Sequence, residues 1–448
     1  MFYAWGEPIL VLLILATSLV TYAWGRFLRT RTGAARRWAL TFGIVTVAAP
    51  LLYLKYSVFL AGVLGLDAWA QSTDLPLPIG VSFYTFMAIG YLVDIYRRRD
   101  EGAPALLDFT AYLMMFPHLV AGPIVRWAHV GPQLRAPRFH SGMFGFGAFL
   151  VATGLAKKTV LADSLAPLVD GLFATGDPGS VGGAWLAAIM YSAQIYLDFS
   201  AYSDIAIGLA AMLGIHFHEN FNYPYIAKSA REFWQRWHIS LGSWFRDYVY
   251  IPLGGSRVRP VLVWRNLMVV WALTGLWHGA AWTFVLWGIY YGVLIGLERF
   301  VWGSALARLP RALQHLYGVL VAVLGWVLFR SVDLDQALSY FRAMFGGAGA
   351  PAWDPLSDLT FRQGWMLLVI AALLAAGIAR PLVDRFRRQS MPQADADPRS
   401  EYHGELEPPE RISVASALTM AVIVVLCVAL ATSFMVAVSY SPFIYFRF

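Results

Sequence analysis

One cysteine, Cys427, stands in 448 residues. A single thiol allows neither an intramolecular disulfide nor a cysteine-rich metal site within one chain. Cys427 lies inside the apolar run Ala417–Ala431, and apolar surroundings disfavour the thiolate that nucleophilic catalysis would need. Charge is scarce as well: 14% of residues are charged, 58% are hydrophobic, and the mean hydropathy is +0.57. Soluble domains are roughly 45–50% apolar, so the bilayer is this chain's solvent. The motifs G-x-x-x-x-G-K-[ST], H-E-x-x-H, G-x-S-x-G and G-x-G-x-x-G are all missing, which removes the usual support for nucleotide hydrolysis, zinc proteolysis, serine-hydrolase chemistry and dinucleotide binding.

What charge there is sums to +7, and its placement excludes a nucleic-acid face. The basic residues sit in short loops beside apolar runs: Arg26, Arg29, Arg31, Arg36 and Arg37 follow the first run, and Arg97, Arg98 and Arg99 end the third. The loop Ala61–Leu75 between them carries Asp67 and Asp74. The positive-inside rule therefore places the arginines in the cytoplasm and the N-terminus outside. The first run, Pro8–Tyr22, has no basic stretch before it and reads as a retained span rather than a cleaved signal.

Apolar runs near the roughly 20 residues needed to cross a bilayer fall at about 8–25, 38–60, 78–96, 108–122, 143–161, 183–213, 264–278, 280–298, 313–330, 363–380 and 413–438. The expected fold is an all-α polytopic membrane protein, a single domain over 1–448 with about eleven transmembrane or re-entrant helices. Pro78-Ile-Gly80, Pro117 and Ala121-Gly-Pro123 mark places where a helix at membrane depth would break. Two polar segments interrupt the runs. Phe386–Arg411 reads as a solvated cytoplasmic loop. Glu219–Arg265 mixes charge with aromatic and apolar residues, and reads as buried, non-spanning structure that lines a cavity.

Within that second segment, a helical wheel drawn through Arg231–Tyr248 puts Trp234, Trp237, Leu241, Trp244, Phe245 and Tyr248 on one face. Glu232, Arg236, Ser240, Ser243 and Asp247 fall opposite, with Glu232 and Arg236 at ion-pair spacing, and Gly242 with the downstream Pro252-Leu-Gly-Gly255 suggests that the helix breaks into a loop. His238 lands at the edge of the aromatic face. The pattern also suits an amphipathic interfacial helix with an incidental histidine, and spacing alone leaves both readings open. A second histidine, His278, lies within the otherwise apolar stretch Leu267–Leu297, a position that by default marks a functional site in a membrane protein. Gly275 and Gly279 beside it have the spacing of helix-packing glycines. Gln194, Asp198 and Tyr202 share a helical face, and Asp204 points elsewhere. The two carboxylates suit either a proton or ion pathway, as in a transporter or flippase, or the anchoring of cations from Glu219–Arg265.

These residues together resemble the membrane-bound O-acyltransferases, in the bacterial branch that acts in alginate O-acetylation and teichoic-acid D-alanylation. The resemblance rests on Ile79-Gly-Val-Ser-Phe-Tyr-Thr-Phe, Asp94-Ile-Tyr-Arg97, Phe116-Pro-His-Leu-Val-Ala-Gly-Pro-Ile-Val-Arg126 and Asp198-Phe-Ser-Ala-Tyr-Ser-Asp204. It continues through Asn220-Phe-Asn-Tyr-Pro-Tyr225, Glu232-Phe-Trp-Gln-Arg-Trp-His-Ile-Ser-Leu241, Trp244-Phe-Arg-Asp-Tyr-Val-Tyr-Ile-Pro-Leu-Gly-Gly255, Trp277-His-Gly279 and Ser441-Pro-Phe-Ile-Tyr-Phe-Arg-Phe448. It covers about 75–300, a catalytic core, and the C-terminus. The wording is closer to the alginate-type branch, from which the chain departs by being shorter after residue 300.

The resemblance implies that His278 matches the family's catalytic histidine and His238 its second active-site histidine, with Trp234, Arg236, Trp237, Arg246, Asp198, Asn220 and Trp277 as candidates for binding donor or substrate. It implies a fold with a central funnel and a tunnel for the acyl donor, no bound cofactor or metal, and acetyl-CoA as the donor. Lys228, Arg231 and Arg246 are the cations expected at the donor's entrance. An acyl-carrier protein is the alternative donor. A periplasmic esterase-like partner and polysaccharide-synthesis machinery are the expected partners, in a bacterial inner membrane.

Overall fold

A computed structural model describes residues 2–66, 77–97, 104–137, 139–174, 176–391 and 412–437. The loop aspartates Asp67 and Asp74, Arg98 and Arg99, most of the 386–411 segment and the C-terminal block 441–448 lie outside the described residues. Backbone polar groups in a bilayer must be satisfied within the segment itself, and among the described residues every regular element is helical. The chain falls into two compact units, one built from 1–148, 206–219 and 390–411, the other from 149–205, 220–389 and 412–448.

In the first unit, α1 (Val11–Arg29) and α2 (Gly33–Val63) pack with the shorter, largely buried α3 (Val81–Tyr96). Gly80 caps α3 at φ 75°, where a Cβ would lie 2.1 Å from the Leu119 carbonyl oxygen, so only glycine fits. The expected span 108–122 is broken: α4 (Leu106–Leu113) stops, α5 (Phe116–Leu119) is a single turn, and regular structure resumes with α6 (Trp127–Arg135). The chain doubles back at Gly122, where a Cβ would come within 2.4 Å of His118 Cα. Tyr112 Oη donates to the Val125 carbonyl (2.9 Å) across the irregular stretch.

Helices α7 (Ser141–Ala174) and α8 (Val181–Met212) each begin or end in the first unit and continue in the second. A π turn at Lys157–Ala162 interrupts α7 just before Asp163, whose carbonyl Pro167 cannot bond. Lys158 Nζ meets Asp163 at 2.7 Å and Asp198 of α8 at 2.9 Å, while Lys157 pairs with Asp204 and reaches Ser200 Oγ at 3.2 Å. This corrects the expectation that Asp198 and Asp204 anchor cations of the 219–265 segment: the lysines come from α7, beyond the reach of any local pattern.

The rest of the second unit comprises α9 (Ala230–Arg236), α10 (Ile239–Phe245), α11 (Pro260–His278), α12 (Trp282–Arg308), α13 (Arg311–Arg330), α14 (Leu334–Met344), α15 (Pro355–Ala375), α16 (Arg380–Ser390) and α17 (Val414–Ala437). Among the described residues, eight helices, α1, α2, α7, α11, α12, α13, α15 and α17, are long and apolar enough to cross a membrane. The start of the expected loop at Phe386 is corrected: α16 runs through Ser390, and Phe386 is buried against Phe149 (ring centroids 5.3 Å). Ser390 and Met391 are buried with it, and Arg380 at the other end of α16 lies over the Tyr223 ring (5.6 Å).

Candidate active site

The site is built on a tight helical hairpin. Helix α11 ends at His278, Gly279 follows as its cap in extended conformation, and α12 starts at Trp282. Glycines let the two backbones touch: a Cβ on Gly275 would lie 2.3 Å from the Phe284 carbonyl oxygen, and one on Gly288 2.2 Å from that of Trp271. The spacing of Gly275 and Gly279 is thus a packing feature, and its effect is to hold His278 at the turn. The His278 side chain is buried, with Trp277 and Trp287 at 4.9 Å and Phe329 of α13 at 5.2 Å between ring centroids.

His238 reaches the same cluster from a different element. The wheel drawn through Arg231–Tyr248 assumed one helix, and the structure corrects it: α9 ends at Arg236, α10 begins at Ile239 and runs through Gly242, and the break falls at Trp237-His238, while the loop suggested by Pro252–Gly255 is the turn at 251–256. His238 has φ 44°, a left-handed backbone that costs a non-glycine residue roughly 1–2 kcal/mol. Its ring is buried, 4.8 Å from Phe199 of α8 and 5.9 Å from Trp277. Both histidines therefore pack near Trp277. His238 lies outside the spanning segments, and burial holds its imidazole down to about 3, in the neutral form.

The other expected site residues separate into two groups. Trp234, Trp237 and Trp277 belong to one aromatic cluster: Trp234 is 4.8 Å from Trp271, 4.9 Å from Tyr291 and 5.3 Å from Trp287, and Trp237 is 4.7 Å from Trp326. Arg236 forms the expected pair with Glu232 (2.8 Å) and donates to the Asn222 carbonyl (3.1 Å). Arg246 is paired with Asp247 at 2.7 Å, Asp198 with Lys158, and Asn220 is hydrogen-bonded within the protein. Sequence reasoning missed Trp287, Tyr291, Phe329 and Phe199. The i, i+3, i+4 spacing of Phe284, Trp287, Gly288 and Tyr291 along α12 was the available signal, easily taken for ordinary span composition.

A cavity of about 500 Å³ opens elsewhere on the same elements, lined by Lys228, Arg231, Tyr250, Ser256, Glu298 and Arg299 among others. Glu232 also lines it and is held by Arg236, and Arg231 is within electrostatic reach of Glu298. The Glu298 carboxylate accepts the N–H groups of Ala230 (2.6 Å) and Arg231 (3.0 Å), so it already caps α9. Two of the three cations expected at a donor entrance thus share one cavity, and the third, Arg246, does not line it. Leu267 lines the cavity and stands eleven residues before His278 on α11, about 16 Å along the helix at 1.5 Å per residue.

A multi-pass helical membrane protein with two buried histidines packed on one tryptophan, and a basic cavity on the same helices, has the makings of a membrane-embedded group-transfer enzyme. The model of the MBOAT, membrane-bound O-acyltransferase family matches residues 82–321. The chain is 40% identical to the probable alginate O-acetylase of Azotobacter vinelandii over 100% of this chain and 92% of that protein. It is 33% identical to the peptidoglycan O-acetyltransferase of Helicobacter pylori (77% and 72% covered) and 26% identical to the teichoic acid D-alanyltransferase of Bacillus subtilis (52% and 62%). The chain belongs to the membrane-bound O-acyltransferase family. It is an O-acyltransferase, and with that assignment the transporter reading of Asp198 and Asp204, which pair with Lys158 and Lys157, loses its ground.

Proposed function

We propose that the protein moves an acetyl group from a cytoplasmic thioester, acetyl-CoA, toward an extracytoplasmic polysaccharide, directly or through a periplasmic esterase-like partner. The observation that carries this is His278, buried at the α11–α12 turn on helices that also line the basic cavity. The similarity to proteins described as acting on alginate and on peptidoglycan supports an acetyl donor and a polysaccharide acceptor. The positive-inside distribution supports an inner-membrane protein with its N-terminus outside.

In this reading the donor's phosphates lie among Lys228, Arg231 and Arg299, and its thioester reaches His278. The neutral imidazole takes the proton of the acceptor hydroxyl as that oxygen attacks the thioester carbonyl. The C–S bond breaks as the tetrahedral intermediate collapses, and the thiolate receives the proton from His278. His238 donates a hydrogen bond to the oxygen that gains charge. A phosphopantetheine arm on a carrier protein presents the same phosphate and thioester, and the D-alanyltransferase similarity keeps it as the alternative donor.

His278→Ala removes the base, and a loss of about 10²–10⁴ in transfer rate is expected. The measurement is transfer of label from radiolabelled acetyl-CoA by the protein in nanodiscs. A folded His278→Ala protein with the wild-type rate would refute the assignment.

A further inference from the structure

The segment Asn220–Asn222 runs alongside Arg236–Ile239 and clasps the break between α9 and α10 at both ends. Ile239 N–H donates to the Asn220 carbonyl (2.9 Å), and Asn222 N–H donates to the Arg236 carbonyl (2.9 Å). Between those two bonds sit Trp237 and the left-handed His238. A non-glycine residue keeps that backbone only where its surroundings over-determine it.

The Asn220 side chain, 1% exposed, adds the rest of the constraint by using both ends of its amide. Its Oδ1 accepts from Ser240 N–H (3.1 Å) and Ser240 Oγ (2.9 Å), just past His238. Its Nδ2 donates to Ser203 Oγ of α8 at 3.1 Å. Phe199, four residues before Ser203 on α8, packs on the His238 ring. Backbone and ring of His238 are thereby both referred to one turn of α8, the first through Asn220 and the second through Phe199.

We infer that Asn220 is a positioning residue: it fixes the left-handed turn that aims the His238 imidazole, and it acts on acyl transfer through His238 rather than by binding donor or substrate. Three of its side-chain hydrogen bonds are already committed to the protein, and an amide is what supplies an acceptor to Ser240 and a donor to Ser203 together. The inference rests on the reading of His238 as an active-site residue.

The test is a double-mutant cycle on the full-length chain, read as acetyl transfer from acetyl-CoA by nanodisc protein at equal folded amounts. Asn220→Ala and His238→Ala are each expected to slow transfer by about tenfold or more. Placed in the His238→Ala background, Asn220→Ala is expected to cost no more than about a further twofold, because a residue acting through His238 has nothing left to act on. A merely structural role would multiply the two losses. If Asn220→Ala does not accumulate as folded protein, Ser203→Ala, which removes only the α8 end of the clamp, goes through the same cycle. Multiplying losses overturn the inference and leave the role of His238 intact. A wild-type rate for His238→Ala overturns both.

Discussion

At His238, backbone and imidazole make separable demands on the sequence. The left-handed backbone favours glycine, whereas the packing on Phe199 and Trp277 uses the ring. His238→Gly is therefore expected to be more stable than His238→Ala by about 1 kcal/mol, with the same loss of transfer; thermal unfolding and label transfer of the two variants check this. The same residue has a pH signature. Its ionisation is depressed from the ordinary 6.5 to about 3 by burial, so the unfolded chain binds the proton more readily. The stability that neutral His238 contributes is complete above about 6.5 and is lost as pH falls toward 3. His238→Gly should flatten the acid dependence of unfolding in that window. Between pH 5 and 8 His238 does not titrate, so an inflection there in the rate profile belongs to another group.

The α11–α12 hairpin is the element that sets the position of His278. A Cβ at Gly275 meets backbone atoms of Phe284 and Val285 rather than the movable end of a side chain, so the helices must part. Gly275→Ala is expected to destabilise the protein by about 1–3 kcal/mol and to lower transfer by displacing His278, which paired measurements of thermal stability and rate would show; unchanged values for both would refute the close approach as the determinant. This contact was legible in the sequence through the glycine spacing, as were the Glu232–Arg236 pair and the irregular, partly buried nature of the 219–265 segment. What was not legible has a common physical cause. The wheel through Arg231–Tyr248 ran past Trp237 because the groups that capture the backbone there belong to Asn220–Asn222. The lysine partners of Asp198 and Asp204 lie some 40 residues away on α7. Periodicity reports local helix, and each of these features is made by a distant segment.

For the chain as a whole, the proposed reaction takes its donor from one side of the membrane and its acceptor from the other, so on that reading charge should be distributed unequally along the helices that carry the site. In the second unit, Arg257 and Arg259 precede α11, and Arg308 and Arg311 flank the α12–α13 turn, whereas the 279–281 turn is uncharged and Arg330, which ends α13, is paired with Asp170 and followed by Asp333 and Asp335. The cavity with Lys228, Arg231 and Arg299 sits toward that basic end, since it is lined by Leu267 from α11 and by Gly303 and Leu306 from the last turns of α12. Three cations outnumber the two carboxylates of the cavity, Glu232 held by Arg236 and Glu298 capping α9, and attract an anionic ligand from outside contact range; salt screens that attraction over about 10 Å at 0.1 M. Reversing two of them, Lys228→Glu with Arg231→Glu, is therefore expected to raise the KM for acetyl-CoA tenfold or more while kcat changes little, because neither residue is placed at the thioester. The wild-type KM should rise with ionic strength, and that of the double variant should respond less. If the reversed protein instead kept its KM and lost kcat, the cavity would not be where the donor's phosphates bind, and the route to His278 would have to lie along other faces of the same helices.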